Sequence, residues 1–191
     1  LEDALAGTGP ADRATGARLL ACLATDLYYA DRVRADALSA DAVREVEAAG
    51  DHGARVAVLN ARRVAIWEAE HARERLATAT AMVEAGEEAG DRAWVLQGRN
   101  WRVRDLMEHG RVREAEAEIE AYAAGAQELA LPHYRWYAPL WRGTLAQMAG
   151  RWDDAERCCD EALALGRRAG DPNADLFVTT LRVQVEVERG R

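Results

Sequence analysis

Apolar residues recur along the chain at the spacing of an amphipathic helix. Leu19, Leu20, Leu23 and Leu27 form an early stripe, separated by intervals of one, three and four residues. The same kind of stripe returns in two later segments, which contain Trp94, Trp101 and Val103 and, further on, Ile119, Tyr122 and Ala126. Residues at these intervals share one face of a helix. The pattern therefore predicts an all-α chain.

Glycine positions repeat along the chain every 40 residues. One register contains Gly50-Asp51, Gly90-Asp91 and Gly170-Asp171, with Ala130-Leu131 at the remaining step, and a second contains Gly110, Gly150 and Gly190, each followed by Arg. Gly just past a helix adopts the left-handed conformation that ends it, and a following Asp can cap the next helix. The two registers therefore predict alternating turns between helices.

These turns divide the chain into repeats of two antiparallel helices, at approximately 11–50, 51–90, 91–130, 131–170 and a partial 171–191. First helices are predicted near 12–30, 52–69, 92–109, 132–149 and 172–189, and second helices near 34–49, 72–89, 112–129 and 152–169. We expect one helical-repeat domain over residues 1–191, stacked as a right-handed α-α superhelix.

Both ends of the chain are expected to fall inside repeats. Residues 1–8 have the character of the tail of an earlier second helix, and Gly190-Arg191 begins a turn without completing it. The last first helix would then lack a partner, so Leu176, Leu181 and Val183 should be partly exposed. Exposed apolar repeat ends favour association, and we expect that they could form a homodimer.

The amino-acid composition favours helices and argues against several classes of function. The chain has 41 Ala and four Pro, and all 25 of its basic residues are Arg. Without Lys, the phosphate-binding loop G-x-x-x-x-G-K-[ST] is excluded. A net charge of −8 argues against nucleic-acid binding by this segment. No apolar run approaches the ~18 residues of a membrane span, and three Cys form no disulfide framework, so we predict a cytoplasmic protein without membrane contact.

The sequence offers no constellation for catalysis or for a cofactor. Ser39 is the sole serine, and His52, His71, His109 and His133 lack the spacing of metal ligands. Cys158 and Cys159 could form a thiol site, but buried small side chains are the simpler interpretation. We therefore predict that this segment is not an enzyme and binds no metal or cofactor.

The stretch "LWRGTLAQMAGRWDDAERCCDEALALGRRAGDP" at 140–172 resembles a tetratricopeptide repeat. Its small residues stand at Gly143, Ala155 and Ala162, and its turn is Gly150-Arg151-Trp152. The resemblance implies stacked helix pairs whose first helices line a concave face. HEAT repeats share the 40-residue period, and the phrase "GRWDDA" favours the tetratricopeptide alternative.

A narrower resemblance concerns three longer segments. "ARLLACLATDLYYAD" (17–31), "NWRVRDLMEHGRVREAEAEIEAYA" (100–123) and "HYRWYAPLWRGTLAQMAGRWDDAE" (133–156) look like the repeat region of large actinobacterial regulators of the LuxR type. This resemblance implies a sensor or partner-binding arm in a transcription regulator, with ATP bound elsewhere in the full-length protein. The alternative is a free-standing tetratricopeptide adaptor that binds a peptide or protein.

Two sets of residues are candidates for sites on the first helices. The expected groove for a protein, peptide or small effector contains Asn60, Trp67, Asn100, Arg104 and Tyr137. An arginine column at the repeat spacing consists of Arg62, Arg102, Arg142 and Arg182. We interpret this column as structural, because Glu74, Glu114 and Asp154 recur at the same spacing as acidic partners, and because stacking on Trp101 or Trp141 is a further role for Arg.

Overall fold

A computed structural model describes residues 12–190, which contain helices and no strand. In chain order the helices are α1 (Arg13–Leu27), α2 (Arg32–Ala49), α3 (His52–Ala65), a 3-10 turn (Ala69–His71), α4 (Ala72–Glu88), α5 (Arg92–Glu108), α6 (Val112–Leu129), α7 (Pro132–Arg135), α8 (Tyr137–Met148), α9 (Trp152–Ala169) and α10 (Pro172–Glu188). Consecutive helices pack against each other in pairs. The prediction of an all-α chain of paired helices is thus confirmed. The expected end of an earlier helix at residues 1–8 lies outside the described residues.

Two first helices differ from their predicted bounds by more than three residues. The segment predicted at 132–149 is interrupted at Trp136, which separates α7 from α8. Pro139 explains the interruption, since it has no N–H to donate to the carbonyl four residues earlier. Helix α3 ends at Ala65, four residues early, and the chain then forms the 3-10 turn before α4.

The repeating Gly-Asp pairs form the turns between successive pairs of helices. Gly50 and Gly170 have φ of 67° and end α2 and α9 in the left-handed conformation. Asp51 Oδ1 then accepts a hydrogen bond from the N–H of Ala54 at 2.8 Å and caps α3. Ala130, at the step where Gly is missing, adopts the same conformation with φ of 56°. The turn geometry is therefore kept even where the sequence departs from the register.

The described chain divides into two compact units, an N-terminal unit that ends at His109 and a C-terminal unit that begins at Gly110. In the N-terminal unit, α1 packs on α2 and α3, and α4 packs on α3 and α5. Its apolar core is built mainly from small side chains, namely Ala17, Ala21, Ala42, Val46, Ala54, Val58 and Ala61. Small side chains let these helices approach closely.

The C-terminal unit has an aromatic core. Trp136 is fully buried among residues of α8, α9 and α10, and its Nε1 donates a hydrogen bond to Asp171 Oδ2 at 3.0 Å. Tyr122 of α6 is buried nearby and donates its hydroxyl hydrogen bond to the carbonyl of Tyr134 at 2.8 Å. A β-carbon on Gly166 would lie 2.1 Å from the β-carbon of Ala174, so α9 and α10 meet where there is no side chain.

The predicted exposure of the last helix is confirmed at two residues and wrong at one. Leu176 and Val183 are 64% and 57% exposed, but Leu181 is only 4% exposed. Leu181 and Val185 lie one helical turn apart and both belong to the core around Trp136. The face that carries Leu176 and Val183 points away from that core.

Candidate functional site

A groove on the first helices of the N-terminal unit is the candidate site. Its volume is about 550 Å³, which lies in the range of small-ligand clefts. We call it the first-helix groove, and its lining residues are Arg18, Ala21, Cys22, Thr25 and Asp26 of α1, Gly53, Ala57, Asn60 and Ala61 of α3, and Trp94 of α5. Small residues make up much of the surface, while charged and amide groups lie among them. The groove can therefore accept a segment of chain and also form directional contacts with it.

Two charged side chains of the groove are unused by the fold. Arg18 and Asp26 are exposed, and within residues 12–190 neither makes an ion pair or a hydrogen bond through its side chain. Arg18 Nη2 lies 3.8 Å from the position that a β-carbon on Gly53 would occupy, which places the guanidinium beside the start of α3. These groups are available to a binding partner without breaking an existing contact.

Asn60 has its orientation fixed by a neighbouring tryptophan. Trp101 Nε1 donates a hydrogen bond to Asn60 Oδ1 at 2.9 Å. An indole N–H can only donate, so the amide oxygen must be the atom that faces Trp101. The amide nitrogen of Asn60 remains as a donor in the groove.

Behind Asn60, two tryptophans enclose a buried arginine. The rings of Trp67 and Trp101 meet edge to face with their centres 5.8 Å apart. The Arg63 guanidinium lies 4.6 Å from the Trp101 ring centre and 4.9 Å from that of Trp67. Arg104 stacks on Trp67 at 3.6 Å and pairs with Glu108 at 3.2 Å. Cation–π contacts of this kind hold the tryptophans in place.

The buried arginine belongs to an ion cluster in the core of the N-terminal unit. Arg63 donates two hydrogen bonds to Asp105, from Nη2 at 2.6 Å and from Nε at 3.1 Å. Arg75 Nε lies 3.4 Å from the same carboxylate, and Arg75 also donates to Glu108 and to the carbonyls of Trp67 and Glu68. The carbonyl contacts bind the chain just after α3 and help to explain why that helix ends early.

Burial dominates the electrostatics of this ion cluster. It raises the pKa of Asp105 above its usual range, although Arg63 and Arg75 act in the opposite direction. It likewise lowers the pKa of Arg63 against the attraction of Asp105. Arg63 Nη1 has no hydrogen-bond acceptor in the described part of the chain. The guanidinium instead lies against the rings of Trp67 and Trp101. The cluster thus depends on each of its charged members.

The residues expected in the groove do not lie together. Asn60 lines the first-helix groove, while Trp67 and Arg104 lie in the stack behind it. Asn100 is 8% exposed on α5. Tyr137 belongs to the C-terminal unit, where it stacks on Trp136 at 3.8 Å and where burial raises its pKa to about 12. Four of the five thus lie in the N-terminal unit, and of these only Asn60 lines the first-helix groove.

Sequence reasoning missed Arg18 and Asp26 as groove residues. A signal was nonetheless present in the repeat, because Arg18 occupies a position that is otherwise apolar or small. At successive 40-residue steps from Arg18 the chain has Val58, Gly98, Ala138 and Val178. An arginine at a position that is normally packed indicates either a buried ion pair or a site.

Three members of the arginine column pair with carboxylates on neighbouring helices. Arg62 donates to Glu74 at 2.6 Å and also pairs with Asp36, Arg142 forms two bonds to Glu120 at 2.8 and 2.9 Å, and Arg182 pairs with Asp160. Arg102 also has a partner. Of the acidic partners expected from the spacing, Glu74 is found, but Glu114 and Asp154 pair instead with arginines close to them in sequence, namely Arg111, Arg151 and Arg157.

The C-terminal unit has a groove of its own, of about 520 Å³. It is lined by Glu116, Ala117, Ile119, Glu120, Arg142, Leu145, Ala146, Arg151, Asp154, Arg157 and Cys158. Its arginines are already paired with Glu120 or Asp154. Burial raises the pKa of the Cys158 thiol, which keeps it protonated and a poor nucleophile. This groove therefore offers fewer free charges than the first-helix groove.

Residues 12–190 also bear on metal binding and on membrane insertion. No group of three or more His, Cys, Asp or Glu side chains in that range could hold a metal ion. His52 instead pairs with Glu88 at 2.9 Å, and His109 contacts the carbonyl of Asp105 at 2.8 Å. None of the helices in the same range combines the length and the apolar character that crossing a bilayer requires.

Comparison with known proteins gives no family assignment. No family model matches the chain, and no curated protein shows significant similarity to it.

Proposed function

We propose that this chain is a non-catalytic helical-repeat arm that binds a protein, a peptide or a small effector on the face of its first helices. The observation that carries the proposal is the first-helix groove, in which Arg18, Asp26 and the amide nitrogen of Asn60 are free to bind. Neither charge makes an ion pair within the described residues, so both can pair with groups of a partner. A partner with complementary groups would use them.

The proposed architecture is a tetratricopeptide-like superhelix. Helix pairs that recur every 40 residues and turn at left-handed residues support it. In such stacks each repeat packs on its neighbours, and the first helices form a continuous binding surface. The groove between α1 and α3 would be one stretch of that surface.

For the biological setting, we propose the partner-binding arm of an ATP-dependent, cytoplasmic regulator of the LuxR type. The support is the sequence resemblance of residues 17–31, 100–123 and 133–156. ATP and DNA would then be bound by other parts of the full-length protein. A free-standing adaptor is the alternative, and the reading frame that surrounds this segment distinguishes the two: a Walker-type loop with a helix-turn-helix domain supports the regulator.

Site-specific photo-crosslinking in the native cell tests the binding face. A photoreactive residue in place of Ala57 would lie in the first-helix groove, whereas one in place of Glu84 would lie on the exposed side of α4. We expect a discrete cross-linked partner from position 57 and none from position 84. Cross-linking from position 84 alone, or from neither position, would contradict the proposed face.

A further inference from the structure

We propose that the first-helix groove binds an extended peptide segment that carries one carboxylate and, three or four residues away, one cationic side chain. The inference rests on the proposed function and specifies the chemistry of the partner. Arg18 and Asp26, the two unpaired charges of the groove, are its starting point.

One end of the groove favours an anion. The Arg18 guanidinium lies beside Gly53, in the first turn of α3, which begins at His52. The start of α3 is already capped by Asp51, whose Oδ1 lies 3.5 Å from the same β-carbon position, so the attraction for an anion comes from the Arg18 guanidinium. A guanidinium presents a planar pair of donors that matches a carboxylate. An acidic side chain or a chain terminus would therefore be held at this end.

The opposite end favours a cation. Asp26 stands in the last turn of α1, which ends at Leu27. A carboxylate is disfavoured there by the negative end of the helix dipole, and no described cation offsets it. The neighbouring Thr25 hydroxyl already donates to the carbonyl of Ala21 at 3.0 Å. A Lys or Arg side chain of the partner would relieve this unbalanced negative charge.

The distance between the two ends sets the length of the segment. Eight residues of helix separate Arg18 from Asp26, a rise of about 12 Å along α1. An extended chain rises about 3.3 Å per residue, so three to four residues cover the same distance. The two complementary charges of the partner should have that spacing.

The middle of the groove suits a peptide backbone. Ala21, Ala57 and Ala61 leave room for close approach of a main chain. The amide nitrogen of Asn60 can donate to a backbone carbonyl, since Trp101 fixes the other side of the amide. Trp94 adds apolar area at the wall. In the C-terminal groove, by contrast, the arginines are already paired within the unit.

Binding of defined peptides to the whole chain tests the inference. The probes are three end-blocked fluorescent peptides: Asp-Ala-Ser-Ala-Lys, the reversed order Lys-Ala-Ser-Ala-Asp, and the uncharged Asn-Ala-Ser-Ala-Gln. Fluorescence anisotropy is measured at low salt, where exposed charges are least screened. One charged order should bind about tenfold more tightly than the uncharged peptide, as expected for charge-assisted contacts.

A charge-reversal variant shows whether these two residues are responsible. In the double variant Arg18→Asp with Asp26→Arg, the preferred order of the two charged peptides should reverse. The matched control is Arg73→Asp with Glu84→Arg, two exposed residues of α4 without side-chain partners in the described chain, and it should keep the original preference. Far-ultraviolet circular dichroism checks that each variant keeps its helical content.

Equal binding of all three peptides, or an unchanged preference in the reversed variant, would overturn the inference. Its failure can be separated from failure of the proposed function. A partner cross-linked from position 57 without any preference among the peptides would leave the binding face in place and reject the charge pairing. If position 57 gave no cross-linked partner and the peptides showed no preference, both the binding face and the charge pairing would be rejected.

Discussion

In the N-terminal unit three charged side chains are buried among small apolar residues, whereas the C-terminal unit is built around the ring of Trp136. Arg63, Arg75 and Asp105 occupy the first of these cores. The chain places them where other repeats have small or apolar residues. Arg75 interrupts the column of Ala35, Ala115 and Ala155, and Asp105 corresponds to Leu145 and Val185. The contrast shows that departures from the repeat are coordinated, because each buried charge has a partner that is also a departure.

The difference has a local structural consequence. Arg75 holds the carbonyls of Trp67 and Glu68, in the longest connection between two helices of the N-terminal unit. The corresponding turn in the C-terminal unit is the compact Gly150-Arg151, where Gly150 has φ of 68°. Where the chain lacks Gly for a tight turn, buried polar contacts fix the longer one. The same cluster supports the tryptophans behind the first-helix groove.

Removal of Asp105 should have the largest effect of any change considered. Asp105→Ala leaves Arg63 and Arg75 buried without their shared carboxylate, and we expect a loss of about 5 kcal/mol in the free energy of unfolding of the N-terminal unit. Hydrogen exchange read by mass spectrometry should show lower protection in residues 12–109.

The control for Asp105 is a carboxylate that the fold does not use. Glu84→Ala removes an exposed side chain from α4, and its effect should stay within about 0.5 kcal/mol. A second variant, Arg63→Leu with Asp105→Leu, should recover part of the stability lost in Asp105→Ala, because one stranded charge is then removed. Equal protection of residues 12–109 in Asp105→Ala and in Glu84→Ala would show that the ion cluster does not stabilise the N-terminal unit.

The corresponding test of the C-terminal unit is Trp136→Ala. This change removes a fully buried ring and its hydrogen bond to Asp171, and should cost about 4 kcal/mol. The loss of protection should now appear in residues 110–190. Leu176→Ala on the exposed face of α10 is the control, with little expected change. If Trp136→Ala lowered protection in residues 12–109 as much as in 110–190, the two units would not have separate cores.

Arg62 and Arg142 occupy the same repeat position, one in each unit, but they differ in exposure. Arg62 is 11% exposed in its side chain and pairs with Asp36 and Glu74, whereas Arg142 is 39% exposed and pairs with Glu120. Arg62→Ala should cost about 2 kcal/mol, as expected for hydrogen bonds between charged groups that are shielded from water. Arg142→Ala should cost about 0.5 kcal/mol. Chemical denaturation measures both, and a larger cost for Arg142 would show that exposure does not decide the contribution of this column.

The helices were predictable because residues local to each turn mark their boundaries. Gly50, Gly90 and Gly170 end helices, and the Asp that follows each one starts the next. Even the stretch "LRVQVEVE" at 181–188, which alternates like a strand, lies in α10. There Leu181 and Val185 meet the core, while Val183 and Val187 are exposed. Packing against Trp136 thus overrides the local alternation.

The groove was only partly predictable because it is assembled from three helices. The repeat indicated the first-helix face and Asn60, but the neighbours of Arg18 and Asp26 are determined by packing between α1, α3 and α5. Trp67 and Arg104 have the stacking chemistry expected of groove residues, yet they face a buried arginine. Periodicity identifies the face of a helix, and it does not reveal which polar residues on that face already have partners.

The smallest expected change in stability comes from a turn position that is Gly in the N-terminal unit and Ala in the C-terminal unit. Gly90 in the N-terminal unit and Ala130 in the C-terminal unit lie one repeat apart and adopt φ of 67° and 56°. In this conformation a β-carbon destabilises the folded state by about 1–2 kcal/mol. Replacement by Gly costs about 0.4–1 kcal/mol, because Gly raises the conformational entropy of the unfolded chain. Ala130→Gly should therefore stabilise the C-terminal unit by about 0.5–1 kcal/mol.

The reciprocal change in the N-terminal unit is Gly90→Ala, which should destabilise that unit by a similar amount. No atom lies within 4 Å of the position that a β-carbon on Gly90 would occupy, so the effect should come from the backbone alone. Thermal unfolding of the two variants measures opposite shifts. If both substitutions lowered the melting temperature, contacts made by the methyl group of Ala130 would have to outweigh its strained backbone, and the two turns could no longer be treated as equivalent positions of one repeat.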